Sequence, residues 1–192
     1  MNTFNLSDAE ITALTSGSTI TEKYPWNTLD NEVIEQFYLN ICYEIEQKTD
    51  CLSQKEFNAY GSGYASFYDL WLYKDKQSFN VPNSPYTNNH FYGLVILFSQ
   101  LSPYYVFMQG EKCWHDKGGF SYLPDSTMID NLKTWAVKDL AKQVEPILAS
   151  YGLIRLTHEQ LKNPLIGSWK IPTILNIDEQ FTLFDALFYW ED

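Results

Sequence analysis

The chain is poor in arginine. Arg155 is the one guanidinium beside 12 lysines, set against 24 aspartates and glutamates, for a net charge of −11. A nucleic-acid partner is disfavoured on this ground, because the net field repels a polyanion and the bidentate forks that hold phosphates are missing. Cysteine is scarce as well. Cys42, Cys51 and Cys113 are an odd number without C-x-x-C spacing, which argues against a disulfide framework and a zinc ribbon and for free thiols in a reducing compartment. The three histidines, His90, His115 and His158, fall on separate segments, so no local metal-ligand spacing exists and no cofactor is expected. Long hydrophobic runs are lacking too: the longest, Gly93 to Phe98, has six residues, far short of a membrane span. The opening MNTFNLSDAE has neither the basic nor the apolar region of an export signal, so a soluble cytoplasmic protein is expected. The GxSxG, HExxH and HxE…PCxxC patterns of common hydrolases and deaminases are absent.

What is present is acid and aromatic. Tyrosine (14), phenylalanine (12) and tryptophan (6) make up 17% of the chain, more than packing alone asks for, so some rings are expected at a surface. The acids concentrate in the first 60 residues, where ten stand against three lysines. Such a face attracts a basic partner, and it also keeps a protein soluble.

Periodicity outlines the elements. Ser7-Asp8-Ala9-Glu10 has the form of a capping box and predicts a short helix to about Leu14. A longer helix is expected from about Leu29 to Lys48, with Val33, Ile34, Phe37, Tyr38, Ile41, Cys42 and Ile45 as its buried stripe and Glu32, Glu35, Asn40, Glu44 and Glu46 outside. YGSGYASFYDLWLY, residues 60 to 73, alternates like a strand covered on both faces, and residues 77 to 90 read as a long loop. The runs 90 to 98 and 104 to 110, with FSYLP after them, suggest an antiparallel β-meander. A helix is expected from about Thr127 to Tyr151, closed by Gly152, with Pro146 kinking it or splitting off its last turn and Thr157 opening another short one. No repeat or composition shift divides the chain, so residues 1–192 are expected to form one α+β domain, the meander packed against helices.

The stretch EKCWHDKGG, residues 111 to 119, places a thiol, an imidazole and a carboxylate close together. A Cys–His nucleophile needs the ring to face the sulfur, which this spacing does not enforce, whereas Lys117-Gly118-Gly119 has hairpin-turn chemistry. The expectation is a hairpin with Glu111, Trp114, His115 and Asp116 exposed at its tip. YGSGYAS lacks the lysine and hydroxyl of a phosphate loop.

In layout the sequence resembles the immunity proteins that bacteria make against their own secreted or contact-delivered toxins. The resemblance lies in the acidic helix NEVIEQFYLNICYEIEQ, the aromatic meander with CWHDKGG, and the ending LFDALFYWED. It implies a non-enzymatic cytoplasmic inhibitor that occludes the active site of a cognate toxin, typically a basic nuclease, through acidic and aromatic side chains. Glu111, Trp114, His115 and Asp116 are the first candidate contacts, then Tyr60 and Tyr64, with Glu32 and Glu35 on the acidic helix as the alternative face. A second reading is a small-molecule hydrolase or binding protein, its pocket lined by Tyr64, Tyr68, Trp71 and Tyr105, with Cys113 and His115 as the chemical groups.

Overall fold

The computed structural model describes residues 4–86, 89–115, 118–176 and 180–192, with only the backbone of His115. Helix α1 (Asp8–Thr15) opens with the expected capping box, in which Ser7 Oγ accepts from the Glu10 amide and Glu10 accepts from the Ser7 amide. Helix α2 (Asn31–Thr49) starts where Asp30 Oδ1 accepts from the amides of Glu32 (2.9 Å) and Val33 (3.4 Å), and ends at left-handed Asp50.

Five strands then form the antiparallel meander: β1 (Leu52–Glu56), β3 (Phe67–Tyr73), β4 (His90–Ser99), β5 (Tyr104–His115) and β6 (Gly118–Ser121), paired in that order. The two-residue β2 (Tyr64–Ala65) lies outside this sheet and pairs with β8 (Trp190–Glu191) near the end of the chain. The far edge of β5 is shared along its length. Strand β7 (Ile154–Arg155) runs parallel to it at Tyr104–Tyr105, Ile129 bridges to Met108, and β6 covers Lys112 to His115.

The register decides which side chains meet. Tyr68, Phe98 and Tyr105 align on one face, and Asp69, Leu97 and Val106 on the other. Helices α2 and α3 (Trp135–Ser150) pack together over the first face, where the Tyr38 ring meets Tyr68 and Phe98 and its hydroxyl donates to the Ser99 carbonyl at 2.7 Å. On the other face the Tyr60 ring lies tilted near that of Phe67, and the amide of Ser66 donates to the Tyr189 carbonyl. Two short helices, α4 (His158–Leu161) and α5 (Leu183–Leu187), lie in the C-terminal part, where α5 packs on α1. Coverage of both faces explains why β3 and β4 read as continuous apolar runs.

Three expectations are corrected. Residues 60 to 73 are not one strand: Ser66 separates β2 from β3 because its backbone and hydroxyl bond to the chain end at Leu187 and Tyr189. The long helix begins at Trp135 rather than Thr127. Residues 129 to 134 instead serve the sheet edge: Arg155 binds left-handed Asp130 at 2.6 Å, and Gln109 Oε1 accepts from the amides of Lys133 and Thr134. Finally, Pro146 does not split off the last turn: α3 continues as one helix through it before Gly152, at φ +75, ends the turn beyond.

Candidate functional site

The expected hairpin tip is largely built into the sheet. Strand β5 continues through His115, while Asp116 lies outside the described residues, as does the side chain of His115. Trp114 is half-buried: its ring stacks on Phe91 (5.4 Å between centroids, 24° between planes) and meets Trp71 and Tyr73 edge-on. It serves packing rather than display. Glu111 keeps a half-exposed carboxylate and lines a cavity of about 340 Å³ with Tyr92, Gln109, Tyr122 and Lys133.

The aromatic pocket of the second reading does not assemble. Tyr68 and Tyr105 lie on the face under α2 and α3, Trp71 lies on the opposite face, and Tyr64 belongs to β2 beside Tyr189. Cys113 is buried, and burial together with the nearby Glu111 pushes its thiol above the ordinary value, the opposite of an activated nucleophile. The histidine opposite Cys113 in the β4–β5 register is His90, not His115. Among the described residues no group of three or more metal-ligating side chains converges.

Tyr60 also points inward. Its hydroxyl donates to Asp69 Oδ2 at 2.6 Å, and the Tyr122 hydroxyl donates to Asp69 Oδ1 at 2.6 Å. Asp69 is 2% exposed, so burial raises its carboxyl above the ordinary range, with the two phenols and the field of Lys112 offsetting part of that rise. Lys112 is lowered by burial and lies over the rings of Trp71 (5.5 Å) and Tyr122 (5.4 Å). Glu56 accepts from the amides of Asn58 and Tyr60, holding Ala59 and Tyr60 at positive φ so that the phenol can reach Asp69. The network is internally satisfied, and its evident work is to tie the segment between β1 and β2 onto the sheet.

The outer face of α2 is different. Glu32, Glu35, Gln36, Asn40 and Tyr43 are all exposed, and Tyr43 is 64% exposed despite being a large aromatic. Eleven residues are just over three helical turns, so Glu32 and Tyr43 share one line along the helix, about 16 Å apart, with Gln36 between them. Glu44 and Glu46 are engaged, the first with Lys48 and Tyr151, the second with Ser53 and Lys55. Glu32 and Glu35 enter no ion pair among the described residues. Sequence reasoning found the two acids but missed Tyr43. The signal was available, as an aromatic at the wrong phase for the buried stripe.

No family model, curated protein or solved structure matches this chain. None of the helices is long and apolar enough to cross a membrane, among the described residues.

Proposed function

We propose that this is an immunity-type inhibitor that binds a cognate basic toxin and covers its active site, with the outer face of α2 as the contact surface. The observation that carries the reading is Tyr43, a large ring left in solvent on the same outer helix face as Glu32 and Glu35, two carboxylates without an ion pair among the described residues. Exposed aromatics at the centre of a charged surface are typical anchors of protein interfaces, and surrounding acids steer a basic partner and fix its register. Glu32 also offsets the dipole at the start of α2, but that role asks nothing of Glu35 or Tyr43. The half-exposed Glu111 remains a second contact candidate, whereas the packing of Trp114, Tyr60 and Tyr64 argues for structural roles.

The test is neutralisation of the toxin by charge-reversed variants. Glu32→Lys with Glu35→Lys is expected to abolish protection, and Tyr43→Ala to weaken binding by about 2 kcal/mol, roughly thirtyfold. Glu111→Lys, made separately, reports on the hairpin face. Full protection by variants reversed at both surfaces would sink the reading.

A further inference from the structure

Away from α2, one cluster brings together a hydroxyl, an imidazole and a carboxylate. Ser84 lies in the loop before β4, His90 opens β4, and Glu111 stands on β5 on the same sheet face as His90. Ser84 Oγ is 2.7 Å from His90 Nδ1, and His90 Nε2 faces Glu111 Oε2 at 3.7 Å. His90 is 8% exposed and enclosed by the rings of Tyr86 and Phe120. Among the described residues its buried Nε2 has no hydrogen-bond partner. An orphaned buried polar atom costs about 1–3 kcal/mol, so its presence calls for a reason.

The arrangement supplies one. With the Ser84 hydroxyl turned to Nδ1 rather than to the Tyr86 carbonyl 3.3 Å away, the ring proton is on Nε2, the nitrogen that faces the carboxylate. Nucleophile, base and acid then stand in the order used by acyl-transfer enzymes, with the two ring nitrogens exchanged. The Tyr86 amide donates to Ser84 Oγ at 3.0 Å, which would steady that oxygen as it loses its proton.

We propose that Ser84 is a nucleophile towards carboxylic esters and related acyl donors, with His90 as its base and Glu111 positioning the imidazole. Ser84 Oγ attacks the carbonyl carbon while its proton passes to His90 Nδ1. The ester C–O bond breaks, the leaving alkoxide takes that proton, and an acyl-serine and an alcohol result. Water, passing a proton to His90 Nδ1, then attacks the acyl carbon; the acyl–Oγ bond breaks, Ser84 Oγ takes that proton back, and the carboxylic acid leaves. The inference is independent of the α2 surface, and either can fail alone.

The test is labelling of the folded, full-length protein with a small fluorophosphonate, which loses fluoride on bonding to an activated serine, with the site mapped by mass spectrometry. Ser84 should label roughly a hundredfold faster than in the urea-unfolded chain, a factor within the usual range of general-base assistance, and Ser84→Ala should remove the label. Since His90→Asn could disturb a buried site, Glu111→Gln is the informative variant. It should slow labelling about tenfold, and Glu111→Asp, which keeps the carboxylate, should restore part of the rate. Labelling no faster in the folded protein than in the unfolded chain overturns the proposal, as does a Glu111→Gln variant with the parent rate or a Glu111→Asp variant no faster than Glu111→Gln.

Discussion

Replacing Tyr122 by phenylalanine removes one oxygen and keeps the ring that lies against Gly110, where a Cβ would overlap it. The loss is the hydrogen bond to Asp69 Oδ1. A bond to an ionised acceptor contributes about 1.5–3 kcal/mol and one to a neutral acceptor about 1 kcal/mol, so the cost depends on the state of Asp69. Because burial raises the folded-state carboxyl above its unfolded value, Asp69 contributes stability that is fully present below the ordinary aspartate range. That contribution is lost as pH rises through the folded value. The Tyr122 phenol limits this loss by favouring the carboxylate. Tyr122→Phe should therefore cost about 1 kcal/mol at acid pH and about 1.5–3 kcal/mol above the folded-state transition, a drop in Tm of roughly 3–12 °C for a chain of this size. Urea unfolding at several pH values, read by tryptophan fluorescence, measures both limbs, and Asp69→Asn in the same background should flatten the difference. An equal cost at every pH, or none, would refute the reasoning.

Two further outcomes follow from packing. Gly93→Ala should destabilise by about 1–3 kcal/mol, since a Cβ there would overlap the Trp71 indole and lie 2.8 Å from the Leu72 carbonyl oxygen; chemical denaturation would show it as a lower midpoint at unchanged slope. The thiols should resist alkylation at neutral pH in the native state: burial first, with Glu111 adding, raises Cys113, and burial pushes Cys42 up to about 12. Native and urea-unfolded rates with a thiol reagent compare directly, and a native Cys113 reacting as fast as an unfolded cysteine would contradict its placement.

How far the sequence reveals the structure varies by element. Helix α2 is legible because its cap at Asp30 and its apolar stripe are local signals, and β4 and β5 because their apolar runs flank Ser99–Pro103. Strand β1 is not, since LSQKE is polar and its one apolar residue, Leu52, is itself exposed; pairing with β3 makes it a strand. The start of α3 misleads because Met128 and Leu132 continue the helical period, while Arg155, 25 residues away from Asp130, holds that segment on the sheet edge. Tertiary contacts also decide the site. Trp114 looks like a tip residue until Phe91, Trp71 and Tyr73 arrive from two other strands, and Asp69 shows no hint of its two phenols, one of them 53 positions on. Glu32 and Glu35 needed only helix geometry.

The central claim is that α2 is a docking face for a basic partner. Calorimetric titration of the proposed toxin partner with the parent protein, and with Glu32→Lys/Glu35→Lys, at two salt concentrations addresses it most directly. The account predicts a one-to-one complex with the parent that weakens as salt rises, and none with the variant. A variant that binds as tightly as its parent, or parent binding indifferent to salt, would contradict it.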